Sequence, residues 1–298
     1  MTFRAKILGA AAGGGLPQWN CGCENCNLAR AGDIPSQTQS SIAVSATGRD
    51  WAILNASPDI RIQLAATPEL HPTDLRALPL RAVLVTNGDI DHVAGLLTLR
   101  EQQPFDLFAS AEIHSVLDDN PIFSAVNPSV VPRRVIRLGV PFALVEGIEA
   151  TVFAVPGKVP LYLEGEEVET DLEGEQTVGV HLRCGAQSVF YIPGCALIRP
   201  DLADRLRGAD IVFFDGTLWR DDEMLLQGLS QKTGQRMGHM SMAGTEGSMA
   251  AFAGLGVKAK VYVHMNNSNP VLRPDSAERA AAKAAGWTVA ADGMEFRL

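Results

Sequence analysis

Short apolar runs recur along this chain between glycine, proline and aspartate punctuation, and many alternate with polar residues at the two-residue period of a half-buried strand. The pattern predicts strands at Phe3–Leu8, Trp51–Leu54, Ala82–Thr86, Phe105–Ala109, Ala150–Val155, Val178–Leu182, Val189–Ile192, Ile211–Phe214 and Val261–His264. Helical spacing predicts helices at Val93–Glu101, Ala111–Leu117, Pro200–Arg207, Met242–Ala253 and Ser276–Ala285. The last of these follows Pro274-Asp275, with Asp275 expected as its N-cap and Gly286 as its stop. Early strands crowd together as in hairpins, whereas later ones alternate with helices. That order predicts an α/β fold, a mixed sheet core covered by helices. No repeat and no long linker interrupts it, so residues 1–298 read as a single domain.

Charge narrows the function classes. Lys and Arg number 25 against 34 Asp and Glu, a formal charge of −9. Nucleic acid is therefore a disfavoured partner, since phosphate binding needs clustered cations. No apolar run approaches the ~18 residues that cross a bilayer. Met1–Gly15 carries Arg4 and Lys6, but its apolar run is too short for a signal peptide. The expectation is a cytoplasmic protein with no membrane partner. The segment Val159–Thr177 holds seven acidic residues, Glu164, Glu166, Glu167, Glu169, Asp171, Glu173 and Glu175. It reads either as a solvated hairpin or as a flap beside a site.

Four motifs carry candidate chemistry. Of the five cysteines, Cys21, Cys23 and Cys26 lie within six residues, in the loop at about 19–27. Their C-x-C-x-x-C spacing lets three thiolates converge on a structural Zn2+, with a fourth ligand from elsewhere, and in a reducing compartment it favours metal over disulfides. Cys184 sits in a strand pattern and reads as core. A second motif, Val83–Leu96, is an apolar strand that turns through Asn87, Asp89, Asp91 and His92 into a helix. It can gather ligands at one point, or Asp91 can simply cap the helix. A third, Val261–Pro270, ends a strand in His264, which is a ligand if Asp91-His92 lies opposite and otherwise a structural hydrogen-bonder. In the fourth, His239 follows Gly238 before a helix, as a general acid/base or a helix-entry residue. Of two further strand ends, one stops at Cys195 and the other at Asp215, which can orient a ligand histidine.

Taken in order, these residues resemble the metallo-β-lactamase superfamily. Its H-x-H-x-D-H signature, with Gly-Leu following, is matched by Asn87–His92 and Gly95-Leu96; its later strand ends by Gly194-Cys195 and Asp215-Gly216-Thr217; its last two histidines by His239 and His264. The resemblance implies an αββα sandwich of mixed sheets with helices on the outer faces. Trp19–Cys26, Thr86–His92 and His264–Pro270 also resemble the PqqB family of pyrroloquinoline quinone biosynthesis. Phosphodiesterase-like relatives supply the fourth ligand of the cysteine site from a histidine after the last strand. Here Asn267 and Asn269 stand in that neighbourhood, making Asn267 the candidate.

The departures bear on mechanism. Two-metal members hold their first ion with three histidines and a bridging aspartate, and those positions here are Asn87, Asp89, the Gly157-Lys158 region and Cys195. The ligands of the second ion persist as Asp91, His92 and His264. Two histidines and a carboxylate suit Fe2+ and oxygen activation, and Zn2+ fits the same set. Resemblance to the PqqB family implies O2-dependent hydroxylation of the tyrosine ring of a small-molecule Glu–Tyr-derived quinone precursor, with other pyrroloquinoline quinone biosynthesis proteins as partners. His239 and Asp89 are then the candidate catalytic groups, Asp215 and Asn87 the residues behind the ligands, and Lys158 and Arg183 candidate substrate contacts. A single-metal hydrolase and a non-catalytic carrier of the quinone remain the rival readings.

Overall fold

The computed structural model describes residues 2–165 and 169–298. Among the described residues fourteen strands form two seven-stranded sheets. The first comprises β1 (Arg4–Gly9), β2 (Ser41–Ser45), β3 (Trp51–Leu54), β4 (Leu80–Leu84), β5 (Asp106–Ala109) and β6 (Arg133–Val135), in that order. The second runs in sequence through β7 (Phe142–Val145), β8 (Ile148–Ala154), β9 (Val178–Cys184), β10 (Gln187–Ile192), β11 (Ile211–Asp215), β12 (Ala259–Val263) and β13 (Trp287–Val289). The chain then returns to the first sheet, where β14 (Glu295–Arg297) pairs antiparallel with β1.

Each sheet opens antiparallel and ends parallel. Strands β3 to β6 are parallel in one, β10 to β13 in the other. Side-chain parity explains the layering. Ile7, Ile42, Val44, Leu54, Leu84 and Phe108 face the second sheet, while Leu8, Ala43, Ile53, Val83 and Leu107 pack with Ile60, Val93, Leu96, Ile113 and Leu117 of the outer layer. A sheet covered on both faces needs strands apolar at both parities, as β3 is and as β4 is beyond the exposed Arg81. Open α/β sheets bind ligands beyond the carboxyl ends of their parallel strands. The motifs read from the sequence at 85–92, 193–195, 215–217 and 264 lie at or directly after the ends of β4, β10, β11 and β12.

Several expected elements change. The helix expected at Val93–Glu101 is a single turn, Ile90–Val93, followed by a 3-10 turn at Ala94–Leu97. Gly95 donates its N–H to Ala56 at 2.9 Å, outside the helix. Met242–Ala253 is helical only over Ser248–Ala251, because Met242 and Ala243 donate to Leu218 and Trp219 at 3.0 Å. Ser276 rather than Asp275 caps the helix Ala277–Ala284, its hydroxyl accepting from the Arg279 N–H, and Gly286 at φ 78° ends it as expected. Within Val159–Thr177 the described residues form a 3-10 turn, Leu161–Leu163, and a Gly157–Leu172 bridge; Glu166 and Glu167 lie outside the described residues.

Candidate metal centre

The turn after β4 is organised by Asn87. Its Nδ2 donates to Asp89 Oδ2 at 2.9 Å, and its Oδ1 accepts from the Asp89 N–H at 3.1 Å. An amide fixed in this sense has only an acceptor left for His92 Nδ1, which lies 2.6 Å from Oδ1. The His92 proton is therefore on Nδ1 and the lone pair on Nε2. Nε2 is buried without a hydrogen-bond partner among the described residues, 3.9 Å from Asp91 Oδ2. A buried nitrogen left in this state is the mark of a ligand position. Burial holds the His92 pKa down at about 4, so the ring is neutral at pH 7. Asp89 takes the N-cap position of the short helix with no side-chain capping bond, and Asp91 is inside the helix, so neither carboxylate serves as a cap.

His264 arrives from the other sheet, one residue past β12, at φ 57°. Thr217 gives its hydroxyl proton to Asp215 Oδ1 at 2.6 Å and so accepts from His264 Nδ1 at 2.8 Å. That turns His264 Nε2 toward Asp91 Oδ2, 3.1 Å away. Burial pushes the Asp91 carboxyl up, but His92 and His264 outweigh it and hold Asp91 well below the usual range. Asp91, His92 and His264 thus offer donor atoms within 4.8 Å of one another, on a strand end from each sheet. An ionised carboxylate, a neutral imidazole with a free lone pair and a second imidazole fit a divalent metal. Gly13 lines the same point, where a Cβ would meet Asp91 Oδ2 at 3.4 Å.

Behind His264 stands a second array. Asp215, fully buried at the end of β11, accepts from the Cys195 N–H at 2.9 Å and lies 2.6 Å from His239 Nδ1. The His239 and His264 rings stack with centroids 5.2 Å apart. Asp215, held this way, fixes the His239 ring and leaves Nε2 for a ligand. His239 also borders a cavity of about 870 Å³ lined by Leu197, Asp221, Gln235 and Glu246.

The other expected residues separate. Cys195 is buried, its thiol pushed up by burial and bonded to the Leu197 carbonyl at 3.1 Å, and its sulfur is not among the atoms that converge with Asp91, His92 and His264. Lys158 reaches the neighbourhood, where it pairs with Glu164 at 2.9 Å. Arg183 does not. Strand β9 runs antiparallel to β10, which pairs Arg183 with Ser188 and leaves Ile192 at the metal end. Four residues at ~3.3 Å each put it roughly 13 Å away along the sheet. Thr217 was legible within Asp215-Gly216-Thr217, yet only the aspartate stood out; the hydroxyl that orients His264 is the part a residue-type search overlooks.

Cys21, Cys23 and Cys26 converge at the start of the helix Glu24–Ala31, with sulfurs within 4.8 Å of one another. The Asn267 amide sits over them, its terminal atom 3.2, 3.5 and 3.3 Å from the three sulfurs. Zn–S and Zn–O bonds of ~2.3 and ~2.0 Å in a tetrahedron place sulfur and oxygen about 3.5 Å apart. The donor set fits zinc. Asn25, between the cysteines, donates to the carbonyls of Asn267 at 2.9 Å and Asn269 at 2.8 Å.

Residues 50–265 match the beta-lactamase superfamily domain. Coenzyme PQQ synthesis protein B of Ruegeria pomeroyi is 59% identical over 296 residues, spanning 99% of this chain and 100% of the relative. This chain belongs to the coenzyme PQQ synthesis protein B family. The Zn2+-bound PqqB of Methylobacterium extorquens superposes with a TM-score of 0.98 at 52% identity, over 99% of this chain and 100% of that one. A diphosphatase of the PhnP family, 19% identical with a TM-score of 0.71 and covering 100% of this chain and 98% of its own, shares the fold. The metallo-β-lactamase architecture of two mixed sheets with outer helices is thus the family's own, and among the described residues no helix is long and apolar enough to cross a membrane.

Proposed function

We propose that this chain acts in pyrroloquinoline quinone synthesis, hydroxylating the tyrosine ring of a Glu–Tyr-derived intermediate at a mononuclear iron held by Asp91, His92 and His264. Membership of the family supports the pathway. The observation that carries the chemistry is the contrast between this intact trio and the neighbouring position, where Asn87, a hydrogen-bonded Asp89 and a Cys195 bonded to Leu197 replace the donors of a second ion. Two histidines and one carboxylate leave coordination positions open, the arrangement of non-haem Fe(II) oxygenases.

Bound Fe2+ would supply the activation of O2; the net change puts one oxygen atom into the ring and releases the other as water with two electrons from a reductant. The chain's own groups do the rest. Asn87 and Thr217 fix the tautomers of His92 and His264. Asp215 holds His239 so that its Nε2 takes the proton of the ring hydroxyl. Asp89 is pushed up by its burial and by Asp91, so of the two carboxylates it is the one that takes a proton more readily. In the same reading Cys21, Cys23 and Cys26 hold a structural Zn2+, with the Asn267 amide turned so that its oxygen is the fourth ligand.

The test is anaerobic loading with Fe(II), then oxygen uptake and mass change on a cross-linked Glu–Tyr substrate with ascorbate present. Mass gains of one oxygen atom, lost in Asp91→Ala and His264→Ala, are expected. Iron bound without uptake would reject the oxygenase. The second reading is a zinc-dependent hydrolase, favoured by the zinc in the M. extorquens relative. It requires turnover without oxygen, whereas tight quinone binding without turnover would mark a carrier.

A further inference from the structure

Beside the metal centre, three cations converge on one carboxylate. Glu164 Oε1 lies 2.9 Å from Lys158 Nζ, and Oε2 lies 3.0 Å from Arg236 Nη2 and 3.8 Å from Lys232 Nζ. The Glu164 side chain is only 9% exposed. Among the described residues three cations pair with this one carboxylate, in a chain whose net charge is −9. Arg236 Nη1 is buried without a partner among the described residues. A surface ion pair made for stability needs one cation; this arrangement holds unspent donors.

The cluster is tied to the centre on two sides. Lys232 and Arg236 stand on the loop that leads to His239, closed by a 3.0 Å bond from the His239 N–H to the Gly234 carbonyl. The Lys158 stem lies against Gly238, where a Cβ would meet Lys158 Cγ at 3.3 Å. Across from it, Tyr162 donates to the carbonyl of Gly88 at 2.5 Å, laying the segment that carries Glu164 over the turn of Asn87 and Asp89.

We propose that Lys158, Lys232 and Arg236 form a carboxylate-binding subsite of the metal centre, and that Glu164 stands in it where a substrate carboxylate binds. The inference rests on the reading of this centre as one that acts on a small carboxylated ring compound. Glu164 is engaged at both oxygens, Oε2 accepting from Arg236 with Lys232 nearby and Oε1 ion-paired with Lys158, which is the manner in which a free carboxylate sits among paired cations. Binding exchanges an internal carboxylate for an external one. Charge is conserved, and the Tyr162 segment is released from the turn it covers.

The experiment is an anaerobic titration of the full-length, zinc-loaded protein with pyrroloquinoline quinone, a planar tricarboxylate with its own absorbance. Glu164→Gln removes the competing charge and is expected to tighten binding about tenfold. Arg236→Gln and Lys232→Gln are expected to weaken it about tenfold and severalfold; Lys232 is 38% exposed on its side chain, so its replacement spares the fold. Circular dichroism melts confirm folding, and Lys232→Gln alone decides the matter if Glu164→Gln does not fold. Unchanged affinity in the cation variants, or weaker binding in Glu164→Gln, makes the cluster a structural latch and overturns the proposal. No oxygen or turnover is involved, so a failed hydroxylation assay leaves this titration readable, and a failed titration leaves that assay untouched.

Discussion

The side-chain oxygen of Asn87 lies 2.6 Å from Nδ1 of His92 and sets which nitrogen of that ring faces the centre. The signature of the superfamily has a histidine where Asn87 stands. In the proposed centre the replacement would remove a ligand from one metal position and make the same residue the support of His92 in the other. Thr217 does the equivalent for His264 at 2.8 Å. Each ligand imidazole therefore has a neutral hydrogen-bond partner that fixes its tautomer without adding charge.

Asn87→Ala removes that partner while keeping all three ligands. Outer supports of metal-binding histidines are worth about 10–100-fold in affinity. Competition with a chelator is expected to show Fe(II) and Zn(II) weakened by about that factor at the centre, with the cysteine site unchanged. Equal affinity in the variant would mean that burial alone orients His92.

The cysteine loop reaches the centre through Asn25, which holds the carbonyls of Asn267 and Asn269 a few residues after His264. Asn269 in turn donates to the Gly216 carbonyl at 2.9 Å, beside Thr217. Cys26→Ser is expected to lower the bound zinc by one ion per chain and to cost about 3 kcal/mol of stability. For a chain of this size that is roughly 5 °C in Tm. Fe(II) affinity at the centre should fall with it. A loss of zinc with Tm unchanged would show that the loop is held by its packing and not by the ion.

Gly95 tests the local fold that presents Asp91 and His92. A Cβ built there would sit inside the contact distance of the Ser57 and Ala56 backbone, which cannot step aside as a side chain would. Gly95→Ala is expected to destabilise the protein by about 3 kcal/mol, read by denaturant melting. Metal affinity of the folded fraction should drop as well, because the Gly95 N–H bond to Ala56 lies just after the turn that carries both ligands.

These positions also show what the sequence could carry. Strands β3, β4, β10, β11 and β12 are short apolar runs bounded by polar turns, so their places were legible. Strand β2 was not, since Ser41-Ile42-Ala43-Val44-Ser45 is built from small residues that resemble a loop until two neighbours pair with it. Edge strands β6 and β14 rest on pairing alone and carry Arg133, Arg134 and Arg297. In the site, Asp91, His92 and His264 were legible as strand-end motifs, but their meeting depends on two sheets stacking with their carboxyl ends together. Arg183 was misplaced for the same reason, because a strand's polarity decides which of its ends is near the metal. The Glu164 cluster leaves no local pattern at all: Arg236 lies 72 residues further along.

Glu223 supplies the last test. It is 4% exposed, accepts from Ser268 Oγ at 2.5 Å and from the Trp219 N–H at 2.8 Å, and burial pushes its pKa up to about 7 from 4.5. Between pH 4.5 and 7 the folded chain keeps a proton that the unfolded chain has released, so stability is fully present below that window and declines as pH rises through it. Asp292, buried and raised to about 6 from 3.8, acts in the same direction. Glu295 acts oppositely: Arg297 and Arg4 lower it to about 2, and its contribution is lost only as the pH falls below about 4.5. Glu223→Gln cannot ionise and removes its part of the decline, on the order of 3 to 4 kcal/mol at ~1.4 kcal/mol per pKa unit. Melts of both proteins from pH 4.5 to 8 are expected to show the variant gaining on the parent as pH rises. A constant difference across that range would mean that Ser268 and Trp219 already stabilise the carboxylate enough to keep it ionised.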